Sequence, residues 1–212
     1  MPNEEQAALS FFSQPENLPL ALITAEHLDG IRLRLNNEFW IALRSRIDSF
    51  LAKRALKWDS NLTEDRNNAE CLVGLHLQPQ SEQRVFLRPF MEQQFMGDCY
   101  RVYHGLMWST APGAAQKTLP AVEALGLALQ TAGFKQSDSF LAWQWLPWHP
   151  RQRDFLLRFA NQRDRLMDEA DSIWSRLLVT FGEELRLANL ALDETRRNVT
   201  VSLDHLRSQL KT

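Results

Sequence analysis

The stretch Phe140-Leu141-Ala142-Trp143-Gln144-Trp145-Leu146-Pro147-Trp148-His149-Pro150 contains three of the seven tryptophans of the chain. Its first part indicates a β-strand, because aromatic residues are enriched in strands. Two prolines close the stretch, and the longest helical pattern of the chain follows, from about residue 152 to residue 192. We therefore predict a strand that ends a small sheet, followed by a helix laid across that sheet.

The three tryptophans of this stretch are predicted to lie in two different environments. Trp143 and Trp145 point to the same side of a strand, so we expect them to seal the sheet against the helices. Trp148 lies beyond the strand, and we expect it at the surface beside Arg151 and Arg153. On this interpretation Trp148→Ala impairs partner binding more than folding, whereas Trp145→Ala costs about 3–5 kcal/mol of stability.

The centre of the chain predicts a three-strand meander, and the region before it predicts helices and one further strand. Strands are indicated by alternating apolar and polar residues over 71–78, 85–89, 99–109 and, earlier in the chain, Ile31–Leu35. Helices are indicated over 4–13 and from Asn36 or Asn37 to about Trp58, with apolar residues at helical spacing. The polar segment Asp59–Asn68 predicts a loop.

The C-terminal pattern predicts a long helix over 163–192. Its apolar residues recur at intervals of three and four from Leu166 to Leu192. At ~1.5 Å per residue this helix is about 45 Å long, so part of it is expected to project or to pack on a partner. The predicted fold is one α+β domain over residues 1–212. In it a small antiparallel sheet, made of the meander and the tryptophan strand, is covered by the Asn37–Leu56 helix and the C-terminal helix.

Composition and termini indicate an ordinary globular protein. The 212 residues, 44% hydrophobic and 24% charged, suffice for one domain with a sizeable core. The net charge of -2 argues against non-specific coating of nucleic acid. Cys71 and Cys99 cannot build a disulfide framework, no apolar run approaches the ~20 residues of a membrane helix, and the acidic N-terminus lacks signal-peptide features. A cytoplasmic protein with no membrane association is expected.

The common catalytic motifs do not occur in the sequence. It contains no glycine-rich phosphate loop, no Gly-x-Ser-x-Gly, no Cys-x-x-Cys, no His-Glu-x-x-His and no Glu-x-Lys pair. His76 and His104 fall on the first and third meander strands, about 10 Å apart, which is too far for one metal ion. A face formed by Asp164, Asp168 and Asp171 is expected to pair with arginines rather than to bind a cation. The sequence thus predicts no cofactor and no metal, and it leans away from an enzyme.

Arginines interleaved with aromatic residues are the main functional signal. The chain has 19 Arg and 5 Lys, and Arg is the better residue for flat, bidentate contacts, although a GC-rich genome would give the same bias. Arg84 and Phe90 belong to the same interleaved pattern of arginines and aromatic residues. The candidate partner-binding residues are Arg88, Arg101, Tyr103, Trp148, His149, Arg151 and Arg153.

These residues, together with the long C-terminal helix, predict a non-catalytic protein-interaction or accessory protein. Its partner is another protein or a second copy of the chain. The alternative is a nucleic-acid-binding accessory subunit that uses arginine and aromatic residues. A third hypothesis is an enzyme whose site converges from distant residues.

Overall fold

The computed structural model describes residues 2–64, 73–81, 85–97 and 99–197. The helices are α1 (Pro2–Phe12), α2 (Leu18–Lys53), α3 (Ala114–Lys117), α4 (Pro120–Thr131), α5 (Arg153–Asn161), α6 (Arg163–Ser175) and α7 (Gly182–Arg197). The strands are β1 (Trp58–Leu62), β2 (Val73–Pro79), β3 (Leu87–Met96), β4 (Cys99–Trp108) and β5 (Phe140–Trp145). Cys71, Arg84 and the residues from 198 onward lie outside the described residues.

The five strands form one antiparallel sheet in the order β1-β2-β3-β4-β5. The predicted meander corresponds to β2, β3 and β4, and the tryptophan strand is β5, so the predicted α+β fold is confirmed. Strand β1 was wrongly predicted as the start of a loop. Its central residues Asp59-Ser60-Asn61 are polar, and only pairing with β2 supplies partners for its backbone.

The two faces of the sheet have different surroundings. One face, here called the helix-covered face, packs with α2, α4, α5, α6 and α7 into the core. Its buried strand residues include Leu75, Leu87, Met91, Val102, Leu106 and Ala142. The opposite face, here called the aromatic face, carries Phe90, Tyr103, Phe140, Trp143 and Trp145, together with Arg88, Glu92 and Arg101.

Trp148 lies in the core, so the prediction that it is a surface residue was wrong. Its side chain is 1% exposed and contacts the edges of Phe39 and Phe155. The chain continues to pair with β4 after β5 ends, because the Val102 N–H donates to the Trp148 carbonyl oxygen at 3.2 Å. This pairing brings Trp148 back over the helix-covered face, whereas Trp143 and Trp145 lie on the aromatic face and stay partly exposed.

Residues Ile31–Leu35, predicted as a strand, belong to the 36-residue helix α2. Alternation over five residues is weak evidence when the flanking residues are strong helix formers, as Ala21, Leu22 and Ala25 are. Pro19 lies in the first turn, where a missing N–H costs nothing. The helix extends about 54 Å at ~1.5 Å per residue. Among the described residues, no helix combines the length and the apolar character needed to cross a membrane.

The C-terminal region is helical over the predicted range, but a π-helical segment, Arg176–Thr180, divides α6 from α7. The apolar stripe of this region is buried against the sheet and α4; its members include Leu166, Ala170, Trp174, Leu177, Leu185, Ala188 and Leu192. The exposed apolar surface that was expected on a projecting C-terminal helix lies instead on α1 and α2.

His104 is a buried titratable residue of the helix-covered face. Its side chain is 2% exposed, and its ring contacts the edge of Phe134 at 5.3 Å. Burial, reinforced by the positive charge of Arg176, lowers the pKa of His104 from 6.5 to about 3. The folded protein therefore keeps this imidazole neutral at a pH where the unfolded chain protonates it.

We expect this difference to make His104 a source of acid sensitivity. Above about pH 6.5 neither state is protonated and the residue contributes no pH dependence. As the pH falls from 6.5 towards 3, the unfolded state binds the proton first, and the free energy of unfolding drops by about 1.4 kcal/mol per unit. Urea titrations at pH 7 and pH 5 measure this effect. Between these two pH values, the free energy of unfolding of His104→Leu should fall by about 2 kcal/mol less than that of the wild type. Equal losses in the two proteins would contradict this prediction.

Candidate functional site

The structure divides the seven candidate binding residues among three places. Arg88, Arg101 and Tyr103 lie on the aromatic face of the sheet. Trp148 is in the core. Arg151 and Arg153 line a cleft at the end of the β3–β4 hairpin, and the ring of His149 contacts Cys99 beside that cleft, with Nδ1 3.7 Å from Sγ. The candidate residues, which were predicted to form one Arg/Trp surface, therefore lie on two separate surfaces, and Trp148 lies on neither.

The aromatic face is built around Glu92, which sequence reasoning missed. The Glu92 side chain is buried, and its Oε1 lies 2.5 Å from Nε2 of His76 on β2. The Tyr103 hydroxyl on β4 donates to its other oxygen, Oε2. Gly74, directly opposite Glu92, leaves the room for this carboxylate, because a Cβ there would lie 2.4 Å from Glu92 Cγ. Glu92 therefore links three strands.

The titration behaviour of this face follows from burial. Desolvation, followed by the charge of Glu92 and its hydrogen bond, raises the pKa of the Tyr103 hydroxyl far above its ordinary value. Tyr103 thus remains a hydrogen-bond donor at any physiological pH. Desolvation also lowers the pKa of the Arg88 guanidinium, although the charge of Glu92 acts in the opposite direction. The Arg101 guanidinium lies over the Trp145 ring, 4.5 Å from its centroid.

These contacts indicate that the main role of the aromatic face is to stabilise the sheet. The Tyr103 hydroxyl and both oxygens of Glu92 form hydrogen bonds within the chain. The hydroxyl proton of Tyr103 is therefore not available to a partner, as its predicted role in partner contact would require. Periodicity alone does not reveal Glu92, because an acidic residue inside a strand is ordinarily solvent-facing. The signal that does reveal it is the strand register, which sets Glu92 opposite Gly74 and Tyr103.

The second place, here called the Arg151 cleft, is a concave space of about 700 Å³. Its lining comes from α2, from the end of the β3–β4 hairpin and from the turn before α5; the residues are Asp29, Arg32, Phe95, Cys99, Tyr100, Pro150, Arg151, Gln152, Arg153 and Asp154. The sequence pointed to Arg151 and Arg153. The contributions of Asp29 and Arg32 depend on α2, which was predicted there as a turn and a strand.

The acidic face on α6 pairs with an arginine, but this arginine comes from α2 and not, as was expected, from the neighbouring arginines of the same helical region. The Arg46 guanidinium of α2 lies 2.7 Å from carboxylate oxygens of both Asp168 and Asp171. The hydrogen bond to Asp171 is the largest of the effects that raise the pKa of Arg46. Within the described ranges, no cluster of three or more His, Cys, Asp or Glu residues is arranged to hold a metal ion.

An apolar surface covers α1 and residues 18–35 of α2, here together called the arm. Nine large hydrophobic side chains of the arm are exposed, among the 17 such side chains in the described residues. They are Leu9, Phe11, Phe12, Leu18, Leu20, Leu22, Ile23, Leu28 and Ile31. This surface was not predicted, because the sequence pattern indicated a short helix over 4–13 and a strand over Ile31–Leu35 instead of one long helix.

Comparison of the chain with protein-family models, with curated proteins and with solved structures gave no match. The surfaces described above are therefore the basis for the function proposed next.

Proposed function

We propose that this chain is a non-catalytic protein-interaction protein that associates through the arm. The observation that carries the proposal is the concentration of exposed apolar side chains on the arm, with Leu20 58% and Ile23 55% exposed. Scattered exposed hydrophobic residues are normal, but a contiguous apolar patch marks an interaction site. This surface replaces the C-terminal helix as the expected docking element.

The first two turns of α2, residues 18–25, are apolar on all sides apart from Thr24. Leu20 and Ile31 lie on one side, and Leu18 and Leu22 lie towards the other, all of them exposed. A helix that is apolar on all sides is stable when other protein surrounds it. Helix α1 packs against α2, and α1 itself exposes Phe11 and Phe12. A partner that covers the arm would remove this apolar surface from water.

A second copy of the chain is the partner that the charges of the arm favour. Glu26, Gly30 and Arg34 follow one another at intervals of four and therefore share one side of α2. In an antiparallel pair of α2 helices centred on Gly30, Glu26 of each copy faces Arg34 of the other. Gly30 itself has no side chain, so two backbones can approach closely there, and the space at its Cβ position is open. Such a two-fold interface is self-complementary.

Light scattering over a range of protein concentrations tests the association. We expect the full chain to dimerise and Ile23→Asp to weaken the dimer at least tenfold, because a carboxylate then has to be desolvated. The matched control is Leu127→Asp on α4, where the replaced side chain is 64% exposed but lies outside the arm. A monomeric wild type, or an equal effect of Leu127→Asp, would rule out self-association through the arm.

Charge reversal tests the antiparallel arrangement and the identity of the partner. Glu26→Arg and Arg34→Glu should each weaken the dimer, because each creates two like-charge contacts across the two-fold axis. The double variant should restore it, because both pairs are re-formed with opposite polarity. Failure of the double variant to recover would contradict the second copy as the occupant and would leave a different protein as the partner of the arm.

A further inference from the structure

The Arg151 cleft has the size of a small-molecule site, and its lining includes Asp29 and Arg32 of the arm but none of the exposed apolar side chains of the arm. Its volume of about 700 Å³ falls within the range of ligand pockets. The lining combines three arginines with two aspartates, and Arg32 is paired with Asp29 at 3.2 Å. Arg153 is exposed and forms no ion pair within the described part of the chain. The cleft therefore has cationic groups in excess.

Arg151 occupies a backbone position that favours glycine. The Gln152 N–H donates to the His149 carbonyl oxygen at 3.1 Å, and Pro150 and Arg151 are the two central residues of this turn. Arg151 has a φ of 70°, as the third residue of a type II turn does. For a residue other than glycine this conformation costs about 1 kcal/mol or more. Arg151 therefore holds a strained backbone conformation at the edge of the cleft.

The Arg151 guanidinium is held in a defined orientation. It lies over the Tyr100 ring, 4.5 Å from the centroid, and its Nη1 donates to the Tyr100 hydroxyl at 3.3 Å. Stacking on an aromatic ring leaves the edge of a guanidinium free to donate to an anion. A guanidinium already held in this way loses less conformational freedom when it binds a ligand.

An aromatic platform completes the cleft. The rings of Phe95 and Tyr100 lie 5.1 Å apart, and the Phe95 side chain is 53% exposed. An exposed ring at a cleft wall offers its face for stacking by a planar ligand, which is worth about 1–3 kcal/mol for a nucleobase. The platform and the arginines line the same space, so one ligand can contact both.

We infer that the Arg151 cleft binds a planar aromatic compound that carries a phosphate, the chemistry of a mononucleotide. The ring stacks on Phe95, and Arg151 and Arg153 bind the phosphate. The same chemistry occurs at the end of a single-stranded nucleic acid. The volume of the cleft, about 700 Å³, suits one nucleotide rather than a strand, so the free mononucleotide is the expected ligand.

Titration calorimetry with the full chain tests this inference, with AMP, adenosine and inorganic phosphate as probes. AMP should bind with a stoichiometry of one per chain, and adenosine and phosphate should each bind at least tenfold more weakly. Arg153→Gln should weaken AMP binding about tenfold, because it removes a charge-assisted hydrogen bond. Phe95→Ala should weaken binding of AMP but not of phosphate.

Two further variants separate binding from folding. Arg151→Gly relieves the left-handed backbone conformation, so it should preserve or raise the melting temperature and still lose about tenfold in AMP affinity. Arg101→Gln removes a guanidinium that also stacks on an aromatic ring, Trp145 of the aromatic face, and should leave AMP binding unchanged. Ile23→Asp should bind AMP as the wild type does, because Ile23 lies on the arm but not in the lining of the cleft.

Three outcomes would overturn the inference. The first is no binding of AMP at millimolar concentration. The second is an equal loss of binding in Arg101→Gln and Arg151→Gly. The third is binding of a single-stranded oligonucleotide that is much tighter than that of AMP and is lost in Arg151→Gly, since this would make nucleic acid the ligand of the cleft.

Discussion

Replacing Trp148 by alanine should lower the free energy of unfolding by about 3–5 kcal/mol, because a fully buried indole leaves a large cavity. The ring lies 5.9 Å from Phe39, which also contacts Phe155 and Phe159, so one deletion loosens an aromatic cluster formed by α2 and α5. Glu169 loses a hydrogen bond from the indole as well. Urea unfolding followed by circular dichroism measures the effect.

Trp145→Ala is the matched control for this prediction. Trp145 is partly exposed on the aromatic face, where its ring contacts Tyr103 and the Arg101 guanidinium. Its removal should cost about 1–2 kcal/mol, less than a fully buried aromatic residue. This order reverses the one expected from the sequence. If Trp148→Ala left stability unchanged and impaired association instead, the position of Trp148 in the core would be contradicted.

Replacing Glu92 by alanine should also lower the free energy of unfolding by about 3–5 kcal/mol. The substitution leaves the Tyr103 hydroxyl and the His76 ring without their common acceptor inside the sheet. Removing one partner of a buried, hydrogen-bonded charge is strongly destabilising, because the groups that remain keep the full cost of desolvation. Equilibrium urea unfolding at pH 7 is the appropriate measurement.

A double-mutant cycle isolates the contact within this network. Glu92→Gln and Tyr103→Phe, made singly and together, should give a coupling energy of about 0.5–3 kcal/mol. Gln94→Ala, an exposed residue two positions along the same strand, should change stability by less than about 0.5 kcal/mol. A cost of Glu92→Ala no greater than that of Gln94→Ala would show that the network does not stabilise the sheet.

The tryptophan stretch shows how far local pattern could lead. Alternation and aromatic content were sufficient to predict β5, because both depend on the backbone period of a strand. The burial of Trp148 was not predictable, because it depends on the Val102–Trp148 hydrogen bond across two strands. The position of a residue after a proline contains no information about which layer the chain enters next.

The candidate site was predictable only in part, for a related reason. Arg151 and Arg153 follow Pro150 in the sequence and were identified from arginine and aromatic content. Their neighbours in the cleft, Arg32 and Phe95, lie far away in the chain and meet them only through α2 and the β3–β4 hairpin. The start of α2 could not be predicted from the pattern either, because residues 18–25 lack the polar side that normally marks an exposed helix.

The sequence by itself determined the α+β class, the three-strand meander with its tryptophan strand and the helical C-terminal region, because periodicity and propensity are local properties. Tertiary structure alone decided which tryptophan is buried, which carboxylate joins three strands and which helix is left exposed. Each of these depends on contacts between residues distant in sequence. The stretch Phe140–Pro150 therefore predicts a strand, but the packing of α2, α5 and α6 around it decides that Trp148 belongs to the core.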